Sequence, residues 1–170
     1  MALLEEIARG AFIGEEFLTW LWFLSETQRE PVAVPKVGPV QIAMGQEIIL
    51  GGEGGDAQTV VLRGDMPCIS VEAREALAAG KRLRRARLYF TIDGVQWSCT
   101  MTGATLAVSG LRLPTAGRAD FQTQCLDRLG AVERVSGVLT WLFEQYLERR
   151  LDPRRWPREH RAMTAWAEGK

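Results

Sequence analysis

The chain has 170 residues, 46% of them hydrophobic and 25% charged, which supplies a buried core and argues against a disordered polymer. Basic and acidic residues balance at 21 each, so the strongly positive charge of the simplest nucleic-acid binders is absent. Three cysteines without CxxC spacing (Cys68, Cys99, Cys125) and a single histidine (His160) argue against a disulfide framework, a zinc knuckle or a histidine-based triad.

The opening MALLEEIARGAFIGEEF carries acids where a signal peptide carries positive charge. No apolar run approaches the ~18 residues of a membrane span, so a cytoplasmic protein without a membrane partner is expected. From Gly14 the stretch EEFLTWLWFLSE predicts a helix over 14–25, with acids at the positive end of its dipole. Phe17, Leu18, Trp20, Leu21, Trp22 and Leu24 crowd so much of its surface that more than one side must be buried, between layers of this chain or against a partner. Pro31, Pro35 and Pro39 make residues 27–39 an extended connector. Strand-like runs follow at Val40–Met44, Glu47–Leu50 and Thr59–Arg63, separated by Gly45-Gln46 and by the turn GGEGGD. That turn reads as a hairpin loop and not a phosphate loop, because it carries Glu53 and Asp56 and no GK[ST] follows. A short helix over 72–79 is closed by Gly80.

Between Lys81 and Thr102 two alternating runs meet at Asp93-Gly94, the dipeptide of a type I′ hairpin. With Ile92 opposite Val95, the pairs Phe90/Trp97, Leu88/Cys99 and Ala86/Met101 share one face. Thr91/Gln96, Tyr89/Ser98, Arg87/Thr100 and Arg85/Thr102 share the other, so one side is core and the other wet. Thr105–Leu113 adds a strand ended by Pro114. From Arg118 to Arg150, Phe121, Cys125, Leu129, Val132, Val135, Leu139, Leu142 and Tyr146 recur at helical spacing, and Gly130 and Gly137 suggest close packing or a bend. Asp152-Pro153 reads as an N-cap and first helical residue of a last helix running through Trp156 to Trp166.

The charge balance conceals a polarity. Residues 1–70 carry four bases and ten acids, a net of −6, so the remaining seventeen bases and eleven acids of 71–170 give +6. Either an acidic face packs beside a basic one, or a basic side is presented to a polyanion. The arginines fall in two groups. KRLRRARLY holds Arg82, Arg84, Arg85 and Arg87 at the entry of the hairpin beside Tyr89, a composition suited to tracking phosphates and stacking on bases. ERRLDPRRWPREHR holds Arg149, Arg150, Arg154, Arg155, Arg158 and Arg161 around Trp156. The candidate DNA contacts are therefore Arg82, Arg84, Arg85, Arg87, Tyr89, Arg150, Arg154, Arg155 and Arg158; the competing reading has them paired with the acidic first half. For catalysis, Ser109 lacks the glycine spacing of a nucleophile elbow and Cys68 has no neighbouring histidine. Asp65, Glu72 and Glu75 suit turns and helix starts better than a metal site, so no catalytic residue, metal or cofactor is assigned.

FIGEEFLTWLWFLSE, the hairpin GKRLRRARLYFTIDGVQWSCTM with TLAVSGLRLP after it, and the late LERRLDPRRW together resemble bacterial recombination-associated proteins of the RdgC-like family, specifically the C-terminal portion of its longer members. The resemblance implies an α+β dimer that binds DNA with little sequence preference, restrains the recombinase of single strands and associates with the nucleoid. The fold expected is one α+β domain over 1–170, with an antiparallel sheet of five or six strands packed by an N-terminal aromatic helix and long C-terminal helices. The function expected is a non-enzymatic DNA-binding or recombination-modulating module, with a homodimer or a recombination protein as further partner. The alternative is an interaction module that docks a partner or a second copy through Trp20, Trp22, Trp141 and Tyr146.

Overall fold

Period-two alternation in the middle of the chain and helical spacing at its ends resolve into a six-stranded antiparallel sheet with helices on one face. The structure is a computed structural model that describes residues 2–52, 59–112 and 121–169, with side chains described from residue 13 onward except that of Phe121. In chain order the elements are α1 (Ala2–Thr27), β1 (Val32–Val34), β2 (Gly38–Gly51), β3 (Val60–Arg63), α2 (Val71–Ala78), β4 (Arg82–Ile92), β5 (Val95–Thr102), β6 (Ala107–Arg112), α3 (Phe121–Leu151) and α4 (Trp156–Ala167), with a 3₁₀ turn at Pro67–Ile69. The sheet order is β1-β2-β4-β5-β6, and β3 pairs with β2 along the same edge as β1. The α+β class and the six strands agree with expectation.

The β4–β5 hairpin has the register that Asp93-Gly94 requires: all eight pairs from Ile92/Val95 to Arg85/Thr102 are present, and both turn residues take positive φ. Elsewhere the strands differ from the expected ones. The proline-rich connector contains β1, which pairs Val32–Val34 with Gly38–Val40 through a turn at Lys36. Its prolines are tolerated because β1 is short and lies at the sheet edge. The two runs on either side of Gly45-Gln46 are one strand, β2, whose ladder slips by two residues between Met44 and Ile48. Gly45-Gln46 is a bulge and not a break. A second slip, between Ile49 and Leu50, leaves Arg84 as the extra residue of β4. Most of the GGEGGD turn, Leu113 and residues 118–120 lie outside the described residues.

Helix α1 begins well before Gly14, at Ala2, and lies across the apolar face formed by β2 and β4. Gly14 lies within its length because the β5–β6 turn comes so close: a Cβ there would fall on the carbonyl oxygen of Gly103. Gly14→Ala should therefore destabilise the protein by about 2 kcal/mol despite alanine's better helix propensity, a loss that denaturant titration would measure. Phe17, Leu18, Trp20, Leu21 and Trp22 are all buried, some against the sheet and others against α3 and α4. The aromatic helix is thus a middle layer. Phe17 meets Phe143 edge-on at 5.1 Å, Trp20 meets Tyr146 at 5.8 Å, and Trp22 meets Trp166 at 5.3 Å.

Helix α3 joins this core from Val135 onward, through Val135, Val138, Leu139, Leu142 and Tyr146. Leu129 and Val132, expected on its buried stripe, are exposed together with Leu126: no side chain of residues 122–130 is buried, and from Ala131 onward the buried positions Ala131, Val135, Val138 and Leu142 form a row that leaves Val132 on the outer side. Gly130 and Gly137 mark no close packing, since a Cβ at either would meet nothing within 4 Å. Helix α2 starts at an N-cap, Ser70, whose hydroxyl accepts from the Ala73 N–H at 3.1 Å. Helix α4 starts one turn later than Asp152-Pro153 suggested: the Asp152 carboxylate accepts from the N–H groups of Arg154 and Arg155 at 2.8 and 3.1 Å, and the helix proper opens at Trp156 with Pro157 in its first turn. Those two N–H donors hold the Asp152 carboxyl below the usual carboxylate range. Its contribution to stability is accordingly present above that range and lost as pH falls through it.

Candidate nucleic-acid interface

Alternation along β4 sends Ala86, Leu88, Phe90 and Ile92 toward α1 and turns Arg85, Arg87 and Tyr89 to the opposite face of the sheet. No described element packs on that face. The ladders decide what surrounds them. Arg85 pairs with Thr102, Arg87 with Thr100, and Tyr89 with Ser98, while β6 adds Ser109 opposite Thr100 and Arg112 opposite Ser98. On the far side of β4, the β2–β3 ladder adds Arg63 opposite Glu47. Four arginines from three strands therefore share one polar face with Tyr89, Thr91, Gln96, Thr100 and Thr102. Arg63 and Arg112 were not among the residues expected from sequence. They lie far from the KRLRRARLY run along the chain, and only strand pairing brings them to this face.

Arg87 is held flat on this surface. Its Nη2 donates to the buried Ser98 hydroxyl at 2.9 Å, and its guanidinium lies over the Tyr89 ring at 5.9 Å. Arg63 is paired with Glu47 at 3.5 Å, an exposed contact of little energetic weight. Among the described residues Arg85, Arg87 and Arg112 have no carboxylate at ion-pair distance.

The rest of the first arginine group turns elsewhere. Arg84, freed from the alternation by its bulge, reaches Glu15 at 3.7 Å and donates to the Gly52 carbonyl at 2.5 Å. Arg82 lines a cleft of about 340 Å³ with Glu16, Lys81, His160, Met163 and Glu168, on the helical side.

The C-terminal group also lies on the helical side of the sheet, away from Arg85 and Arg87, so the two groups do not form one continuous surface. Three glutamates tie this side together, each paired with an arginine and accepting from at least one aromatic donor. Glu16 accepts from the Tyr146 hydroxyl at 2.5 Å and from Arg150 Nε at 2.7 Å. Glu159 accepts from Trp20 Nε1 at 2.6 Å and pairs with Arg149 at 3.5 Å. Glu26 accepts from Trp22 Nε1 at 2.6 Å, Trp166 Nε1 at 3.0 Å and Arg74 at 2.5 Å. Arg150 additionally stacks over Trp156 at 4.8 Å, and Arg155 pairs with Asp152 at 3.4 Å. Arg154 and Arg158 are exposed. The opposite charges of the two halves of the chain are thus partly spent on each other. Burial, reinforced by the Glu16 carboxylate, pushes the Tyr146 phenol far above its ordinary range, so it stays a hydrogen-bond donor.

Among the described residues no three His, Cys, Asp or Glu side chains are placed to share a metal ion, and no helix is long and apolar enough to cross a membrane. Cys68 and Cys99 are buried, while Cys125 is partly exposed. Burial raises the Cys68 thiol and pushes that of Cys99 up to about 11, the latter only partly offset by Arg87. In a native-state thiol titration at pH 8, Cys125 should react first, with Cys68 and Cys99 reacting fully only after denaturation. No protein-family model and no curated protein matches the chain.

Proposed function

We propose that the protein is a non-enzymatic, sequence-tolerant DNA-binding module that engages phosphates through the open face of its sheet, in line with the resemblance to RdgC-like recombination-associated proteins. The observation that carries this reading is the convergence of Arg63, Arg85, Arg87 and Arg112 on one uncovered polar face, three of them without a carboxylate partner among the described residues. A guanidinium left without a counter-ion beside hydroxyl-bearing strands suits phosphate oxygens, which accept from arginine forks and from Thr and Ser side chains alike. Of the residues singled out in the sequence, this reading keeps Arg85, Arg87 and Tyr89 as contacts. It gives Arg84 and Arg150 an intramolecular role.

The test is the salt dependence of binding to a labelled duplex followed by fluorescence anisotropy. Three to four phosphate contacts give a log–log slope of about −2.7 to −3.6. A slope near zero, or no binding at low salt, overturns the proposal.

A second reading, a module that docks a partner or a second copy, no longer has Trp20, Trp22 and Tyr146 at its disposal, since all three are buried in the core. What favours it is the apolar stripe on α3, where Leu126, Leu129 and Val132 are 68%, 67% and 51% exposed. It predicts a sedimenting species larger than one chain that Leu126→Glu with Leu129→Glu returns to monomer; a wild-type monomer that retains no partner speaks against it.

A further inference from the structure

The two-residue slip in β2 arches the strand over Arg87, and the arch is tightly built. A Cβ at Gly45 would lie 2.8 Å from Cβ of Arg87, so only glycine fits there, and the Gly64 N–H donates to the Gln46 carbonyl at 3.1 Å, tying the turn after β3 to the bulge. Between them opens a notch of about 350 Å³ on the proposed DNA face, lined by Gln46, Glu47, Arg63, Gly64, Asp65 and Arg87. Among the described residues Nε of Arg87 is shielded from solvent and has no hydrogen-bond partner, while Nη2 is held by Ser98. A group bound in the notch reaches that orphaned donor only by drawing the side chain toward it, which removes the cost of leaving it unpaired.

The charges on the walls decide what kind of group. Two guanidinium groups are matched by two carboxylates, so a phosphate entering the notch would meet as many anions as cations. A neutral ring carrying acceptors and donors on one continuous edge suits all four. Among the nucleobases, guanine has that edge: N7 and O6 accept, and the adjoining N1–H and N2–H₂ donate. Arginine pairs with the first two and a carboxylate accepts from the others. Glu47 is already engaged by Arg63, which leaves Asp65 as the acceptor. In a duplex, N1–H and N2–H₂ are spent on cytosine, so the base must be unpaired.

We propose that this notch receives an unpaired guanine, with Arg87 donating to its O6/N7 edge and Asp65 accepting from its N1–H and N2–H₂. The inference rests on the reading of the sheet face as a DNA-binding surface and adds to it a single-stranded substrate with a local preference. Affinity elsewhere on the face remains indifferent to sequence.

Fluorescence anisotropy with a labelled dT 12-mer, and with the same strand carrying one central dG, dA or deoxyinosine, tests this. One bidentate pair corresponds to about tenfold tighter binding of the dG strand than of the dA strand, with deoxyinosine, which lacks the 2-amino group, between them. Asp65→Asn should bring the dG strand to the level of the plain dT strand measured with the same variant, and Arg87→Lys, which keeps the charge but loses the fork, should likewise erase the dG-over-dT ratio, whatever either does to dT binding itself. Free guanosine monophosphate in excess should remove the dG preference and leave dT binding intact. Equal affinity for dG, dA and dT strands, or a dG preference that survives Asp65→Asn, overturns the guanine notch while leaving the DNA reading standing. Failure of every strand to bind overturns that reading itself. Binding of the free nucleotide with no preference among strands overturns the single-strand assignment.

Discussion

Replacing Glu26 by alanine should lower stability by about 3 kcal/mol, a fall in melting temperature of roughly 6–12 °C for a chain of this size. Glu26 is the acceptor for two indole N–H groups and one guanidinium, which reach it from α1 itself, from α4 and from α2. Its side chain is 16% exposed and that of Arg74 30%, so water can replace only part of what is lost. Trp22 and Trp166 would each retain a poorly solvated donor, and Arg74, which also stacks on Trp166 at 5.2 Å, would keep its charge without its partner. Glu26→Gln should recover only a fraction, because the carboxamide offers one acceptor where the carboxylate offers two and turns an NH₂ toward the other donors. Thermal denaturation of the two variants beside Glu47→Ala, whose loss removes only an exposed pair, checks the argument; a Glu26→Ala midpoint within a degree or two of wild type would refute it.

The second large effect concerns binding. Arg85→Ala combined with Arg87→Ala removes two of the four sheet-face cations, and the salt slope on duplex DNA should become shallower by about 1.8. At about 1 kcal/mol per contact after screening, the affinity near 0.1 M salt falls roughly thirtyfold. Arg85 is exposed and makes no ion pair among the described residues, so its replacement leaves the fold within about 0.5 kcal/mol of wild type. The informative comparison is Arg154→Ala with Arg158→Ala, which removes the same charge from the exposed surface of the helical side. If the sheet face is the interface, that pair leaves the slope unchanged. A slope altered equally by both pairs would mean that binding follows net charge and not this face.

What could be read along the chain and what could not divide by the reach of the interaction. The β4–β5 hairpin was legible because Asp93-Gly94 dictates its turn and alternation dictates its faces, both within a few residues. The β1–β2 hairpin was not, because its prolines argue against a strand unless one knows that β1 sits at the sheet edge. Gly45-Gln46 looks like a break for the same reason that it makes a bulge: residues that tolerate an irregular backbone mark either. On α3 the helical spacing continues through Leu129 and Val132, but which of its apolar positions meet a supporting layer is not written in the spacing. For the candidate site, Arg85, Arg87 and Tyr89 followed from the hairpin register. Arg63 needed the pairing of β2 with β4 across the intervening β3 and α2, and Arg112 needed the register shift between Thr100 and Ser98 that turns it to this face. Most of the glutamate ties are more remote still, joining residues 130 to 140 positions apart, as Tyr146 to Glu16 and Trp166 to Glu26.

That separation bears on how the protein is made. At about 5–20 residues per second, α1 leaves the ribosome many seconds before α3 and α4 exist to cover it. During that wait Trp20 and Trp22, with Glu16 and Glu26 beside them, have only the nascent sheet to shelter against. A synthesis intermediate truncated near residue 112 therefore exposes an aromatic, acidic helix, the kind of surface that holdase chaperones retain and that aggregates when they are absent.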